Sequence, residues 1–254
     1  MADFHLAILG SASGLPVPDR AHAALALHRP GEMHLLDAGE GVCSSLLRWK
    51  LDPLDVRSIF ITHTHPDHCT GIFMLLQYLH MRHSRRTLDI YLPEGAIGAF
   101  QGILNQLYLI NGEIHPRYHL RALDLRHEVG GDLLLETHPT GHLRRWEELN
   151  LPGLETRAYS FRIRAGGKSL YYSGDVGDFS DIADHVQPGD LLVLEGAHID
   201  ISQVVSWAIA RGLRHLILTH ILPETGWSAE SFLQDAQRGG LKITFAQDGM
   251  DFPL

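Results

Sequence analysis

Apolar positions run along the chain in short blocks that take turns with stretches of helical spacing, the pattern of an α/β protein. Residues 4–9 form the first apolar block and predict a strand. Residues 21–27 and 33–37 predict two more, around the turn Arg29-Pro30-Gly31. Val42, Leu46, Leu47 and Lys50 keep helical spacing over 42–49, and Asp52-Pro53 ends that helix. Ile59-Phe60-Ile61 is β-branched and apolar throughout, which predicts a strand buried on both faces. Ile72, Phe73, Leu75, Leu76 and Leu79 predict a helix over 70–81. A strand at 88–92 and a helix over 95–111 follow.

The second half repeats the alternation. Strands are expected at 132–137 and 159–165, the latter turning back through Gly166-Gly167 into 169–172 as a hairpin. A short helix at 181–186 leads to an apolar strand at 190–195. A helix over 202–211, stopped by Gly212, leads to a strand at 216–218, and a helix over 228–238 to a last strand at 242–246. No repeat of fixed period, linker or low-complexity tract interrupts the chain, so residues 1–254 read as one domain.

The polar residues become informative at the strand ends. The run at 59–61 passes directly into Thr62-His63-Thr64-His65-Pro66-Asp67-His68-Cys69-Thr70-Gly71. His63 and His65 are two apart, so in an extended segment they point the same way. Three imidazoles and a carboxylate within six residues have the donor chemistry of a zinc, manganese or iron site. Other strands end similarly, in His142, Asp175, Glu195 with His198, and His220. After 132–137 there are two candidates, His138 and His142, and the bend at Pro139 and Gly141 favours His142. Asp37 closes a strand, where it either hydrogen-bonds a ligand histidine or caps the turn. Gly10 to Pro18 is a Gly-rich loop that matches neither the dinucleotide nor the P-loop pattern. His80 and His83 read as solvated, and His115, His119 and His127 as scattered in polar surroundings. The stretch 144–156 reads as a short flap, in which Arg144, Arg145 and Trp146 would either meet an anionic or aromatic substrate or form a solvated turn.

Composition narrows the chemistry. Net charge is −9, a poor footprint for long nucleic acid. A pair of bound divalent ions would still attract a local anion. The two cysteines, Cys43 and Cys69, build no disulfide scaffold, which suits a reducing cytosol. No apolar run is long enough to cross a membrane, and residues 1–5 lack the start of a secretory signal. A cytoplasmic protein is therefore expected.

His63-x-His65-x-Asp67-His68, followed in order by His142, Asp175 and His220, resembles the metallo-β-lactamase superfamily. The stretches 10–18, 36–41 and 61–71, with Tyr172-Ser173-Gly174-Asp175 and Leu218-Thr219-His220, look like its ribonuclease Z branch. The resemblance implies an αββα sandwich of two mixed β-sheets flanked by helices. It implies that His63, His65 and His142 hold one ion and Asp67, His68 and His220 a second, with Asp175 bridging. It makes Asp67, His198 and Glu195 the catalytic candidates, His198 as general acid or phosphate contact and Glu195 as its orienter. The cofactors would be two divalent ions, zinc first, with manganese or iron compatible.

Ribonuclease Z enzymes insert a tRNA-gripping arm between the third metal histidine and the bridging aspartate. Here the span from His142 to Asp175 is filled by the flap and the hairpin. The expectation is therefore a phosphodiesterase that uses a metal-bridging hydroxide on a small or cyclic phosphodiester. Its partner would be a small, anionic substrate rather than long nucleic acid or a membrane, and the resemblance allows a homodimer. The alternative on the same fold is an acyl hydrolase of lactones, thioesters or β-lactams. A non-hydrolytic redox protein ranks last, because 254 residues leave no room for a flavin domain.

Overall fold

A computed structural model describes residues 3–129, 132–222 and 229–254, the side chains of 229–231 aside. Among these residues the strands form two seven-stranded sheets. The first contains β1 (His5–Gly10), β2 (Ala24–Arg29), β3 (Glu32–Leu36), β4 (Val56–Phe60), β5 (Leu88–Leu92) and β6 (Tyr118–Ala122). The second contains β7 (Arg126–Val129), β8 (Leu133–Thr140), β9 (Ala158–Ala165), β10 (Lys168–Tyr172), β11 (Leu191–Glu195), β12 (His215–Thr219) and β13 (Lys242–Phe245). The last strand, β14 (Asp251–Pro253), returns to the edge of the first sheet beside β1.

Each sheet is half antiparallel and half parallel. β14-β1-β2-β3 and β7-β8-β9-β10 are antiparallel, whereas β3-β4-β5-β6 and β10-β11-β12-β13 run parallel. Parallel neighbours need crossovers, and the helices supply them. α1 (Val42–Arg48), α2 (Pro66–Cys69), α3 (Gly71–Met81) and α4 (Ile97–Gln106) connect the first sheet. α6 (Ser180–Ala183), α7 (Ile201–Ala210) and α8 (Ala229–Gly239) connect the second. α5 (Arg144–Glu147) is one turn inside the 144–156 stretch. No helix among the described residues is long and apolar enough to cross a membrane.

Side-chain alternation builds three cores from two sheets. In β1, Leu6 and Ile8 enter the core between the sheets, while Ala7 and Leu9 face the helices of the first layer. In β11, Val193 faces the inter-sheet core and Leu192 and Leu194 face α7. Phe60 anchors the centre, stacked on Tyr91 at 4.5 Å and edge-on to Phe161 of the opposite sheet at 6.4 Å. Truncating such a ring to alanine costs about 3–5 kcal/mol.

Several expectations change. β6 and β7 occupy a region read as polar with scattered histidines. His127 there is buried, packed edge-on to Phe60 and Tyr91. His80 is half-buried and accepts from the His115 backbone N–H at 3.2 Å. The helix expected over 95–111 ends at Gln106, leaving Tyr108 exposed at positive φ. β8 runs on through His138 and Pro139, and β14 gave no apolar signal. The Gly166-Gly167 hairpin stands as expected, both residues at positive φ. Met1, Ala2 and Ser228, the expected start of α8, lie outside the described residues.

Candidate metal centre

β4 delivers the histidine motif to the gap between the sheets. Ile61 still bonds to Tyr91 O at 3.0 Å in the first sheet, but Thr62 O accepts from Tyr159 N of β9 at 3.0 Å. The chain thus leaves one sheet by touching the other. His65 is extended, and Pro66 opens α2, where its fixed φ suits a first helical position. This turn brings Asp67 and His68 back beside His63. The close approach depends on Gly71, where a Cβ would lie 2.1 Å from Gly39 O.

Seven side chains converge as two groups. His63 Nε2 and His142 Nε2 lie 3.0 and 3.1 Å from His65 Nδ1. His68 Nε2 and His220 Nε2 lie 3.6 and 3.7 Å from Asp67 Oδ2. Asp175 faces both: Oδ2 is 3.5 Å from His142 Nε2 and 3.5 Å from His220 Nε2, and Oδ1 is 3.4 Å from His68 Nε2. Within each group the donor atoms fall inside 4.8 Å of one another. His68 Nε2 and Asp175 Oδ1 are buried and have no hydrogen-bond partner. Orphaned buried polar atoms cost about 1–3 kcal/mol each, and a divalent cation would satisfy both. The residues therefore fit the metal ions that the fold implies.

The rings are aimed from behind by Asp37, which lies in the left-handed region after β3. Its carboxylate accepts from His68 Nδ1 at 2.8 Å, from Tyr172 Oη at 2.8 Å and from Thr62 N at 2.7 Å. The Thr62 hydroxyl also reaches Asp37, at 2.9 Å, and lies 3.0 Å from His63 Nδ1. With Nδ1 of His63 donating to Thr62 and Nδ1 of His68 donating to Asp37, both rings present Nε2 to the centre. Of the two roles open to Asp37, the histidine contact is the one observed.

Burial sets most protonation states. It holds His63 well below the usual histidine range, lowers His65 and His220, and brings His142 to about 4. Burial would do the same to His68, but Asp175 and Asp37 outweigh it and raise that ring well above the usual value. Burial opposes ionisation of Asp175, yet the surrounding histidines, His68 first, hold its carboxyl well below the carboxylate range. The field at Nε2 of His68 thus favours a cation. Cys69 is not among the converging donors: its thiol faces His65 O at 3.3 Å, and burial pushes it up to about 12.

Glu195 and His198 follow β11. Glu195 is buried and accepts from Ala197 N at 2.6 Å, His198 N at 2.9 Å and His198 Nδ1 at 3.2 Å. His198 is half-exposed, 3.9 Å from Asp175 Oδ2, with its ring 4.8 Å from that of His142. Its hydrogen bond to Glu195 raises its pKa. Asp181 ties two site loops together, accepting from Gly141 N at 2.9 Å and Gly177 N at 2.7 Å. At the rim, the Arg145 guanidinium lies over Trp146 at 4.6 Å, and its charge reaches His65.

All seven candidate ligands and the Glu195–His198 pair therefore meet at one place. His138 does not. It faces outward from β8, stacked on His185 at 4.2 Å. Thr62 and Tyr172 stood in the sequence only as members of motifs, with no role assigned, and Asp181 only as the start of a short helix. A tyrosine in an apolar strand needs a hydroxyl partner, which is a signal; Asp181 gave none.

Residues 34–221 match the sequence model of a family described as the Beta-lactamase superfamily domain. Ribonuclease Z of Methanosarcina acetivorans is 27% identical over 297 aligned positions, covering 98% of this chain and 97% of the relative. An alignment longer than the 254-residue chain means that the relative carries segments absent here. The metallo-β-lactamase fold protein YhfI from Bacillus subtilis superposes with a TM-score of 0.78 over 99% of both chains, at 20% identity. A diphosphatase of the PhnP family gives 0.71, covering 99% of this chain and 98% of its own, at 18% identity.

Proposed function

The chain belongs to the β-lactamase superfamily and has the metallo-β-lactamase fold, and on that premise we propose a dinuclear metal-dependent hydrolase of a small or cyclic phosphodiester. The observation that carries this reading is Asp175, whose two oxygens face two separate His/carboxylate groups. His63, His65 and His142 would hold one ion, and Asp67, His68 and His220 the other. Ions bound there supply a Lewis acid and a water of lowered pKa at neutral pH.

The protein's own residues supply the rest. Asp37 and Thr62 fix which nitrogen each of His68 and His63 presents. Glu195 holds the His198 ring by Nδ1 beside Asp175, where the imidazole would contact a phosphoryl oxygen or protonate the leaving oxygen. Arg145 at the rim would draw in an anion. The choice of a small substrate is supported by the span from β8 to Asp175, which holds only α5, its flap and the β9–β10 hairpin, with no protruding arm. The names of the ribonuclease Z relative and the diphosphatase neighbour agree with phosphoester chemistry.

Protein loaded with zinc or manganese should be assayed on a chromogenic phosphodiester, a cyclic nucleotide, a precursor tRNA, a thioester and a lactone. Turnover of the phosphodiesters is expected. Activity on the lactone or thioester alone would overturn the reading, and activity on precursor tRNA alone would overturn the small-substrate part of it.

A further inference from the structure

We propose that the outer edge of the first sheet carries a peripheral metal site, built from His5, His28 and Asp251, that takes a borderline divalent ion such as zinc. Three neighbouring strands place the residues. His5 and His28 are direct partners across β1 and β2. Asp251 of β14 is the partner of Ala7, two residues along from His5 and so on the same face of the pleat. The carboxylate reaches His5 Nδ1 through Oδ1 at 2.5 Å and His28 Nε2 through Oδ2 at 2.7 Å. The three donor atoms lie within 4.8 Å of one another.

Two imidazoles and one carboxylate form the donor set of a zinc site with three protein ligands, which leaves a position for water. Metal–ligand bonds of roughly 2.0–2.2 Å would open the present His–Asp contacts slightly, by rotation of side chains that are only partly enclosed. His5 is 45% exposed and His28 18%, so an ion reaches them without unfolding anything. The neighbouring Arg29 does not compete, because Glu32 and Asp132 hold its guanidinium. Asp3, Asp52 and Asp55 line the adjoining cavity against Lys50, which leaves the local charge favourable to a cation. The competing reading is a hydrogen-bonded clip without an ion. An ion would do the same mechanical work more strongly, pinning the C-terminal strand β14 to β1 and β2.

The full chain should be equilibrated by dialysis against zinc, and bound metal per chain counted for wild type and for His5→Ala/His28→Ala. The double variant is expected to hold one zinc fewer per chain, and its melting temperature to rise less with zinc than that of wild type. Equal zinc content in a folded double variant would overturn the site. Should that variant not fold, zinc-edge anomalous diffraction from wild-type crystals decides. A peak between the three side chains is expected, and peaks confined to the His63–Asp175 centre would refute the proposal.

Discussion

Tyr172 Oη of the second sheet and His68 Nδ1 beside the first both donate to Oδ2 of Asp37, each at 2.8 Å. One buried carboxylate thereby registers the two sheets and fixes the tautomer of a proposed metal ligand. Asp37→Ala should lower metal affinity about 10–100-fold, the usual cost of losing such a supporting group. Tyr172→Phe removes one of several donors and should cost about 1 kcal/mol of stability with metal affinity nearly kept. Isothermal titration with zinc and thermal melts measure both. Equal metal affinity in Asp37→Ala and wild type would contradict the role.

Asp175→Ala should lose metal and phosphodiesterase activity together, because its carboxylate serves both groups. Metal analysis of the purified variant beside wild type is the check: an undiminished metal content per chain would refute the bridging role.

His198→Ala should keep its metal and lose about 10²–10⁴-fold in kcat, the range of a positioned proton donor. Glu195→Gln should lose less, since the amide can still accept from the backbone N–H groups of Ala197 and His198. A His198→Ala enzyme with wild-type kcat would remove that residue from the chemistry.

Asp181→Ala frees the N–H groups of Gly141 and Gly177 on the loops that carry His142 and Asp175. About 1–3 kcal/mol of stability should go with them, along with part of the activity. Asp181→Asn, which retains an acceptor, should recover most of both. Failure of the asparagine to outperform alanine in thermal melts and turnover would show that the contacts do not position the site.

His127 gives a pH signature away from the metal. Burial against Phe60 and Tyr91 lowers its pKa, and the neighbouring Asp124 offsets this only in part. A lowered folded pKa means that its contribution is complete above about 6.5, the unfolded value. It is lost as pH falls through the folded one. Wild type should therefore lose more melting temperature than His127→Gln between about pH 7.5 and about pH 5.5. Parallel slopes would contradict this.

The site was legible in sequence because its ligands stand at strand ends, where apolar runs stop abruptly at His63, Asp175, Glu195 and His220. His142 against His138 was harder, since Pro139 suggested an earlier end to β8 than its pairing with β9 allows. β6 and β7 were hidden because their exposed faces carry Arg121, Arg126 and Glu128, so a half-buried strand reads as polar. Asp181 and the Thr62 hydroxyl also need Gly141 and Asp37, 40 and 25 residues away in sequence, which no local pattern encodes.

The proposed ligands are divided between the sheets: His63, His65, Asp67 and His68 follow β4, whereas His142, Asp175 and His220 follow β8, β10 and β12. A bound ion is thus a cross-link across the inter-sheet core, and chelation removes that link while leaving every strand ladder intact. The first sign of metal loss should be faster amide hydrogen exchange at Thr62 and Tyr159, where the sheets touch, well before helix or strand content falls.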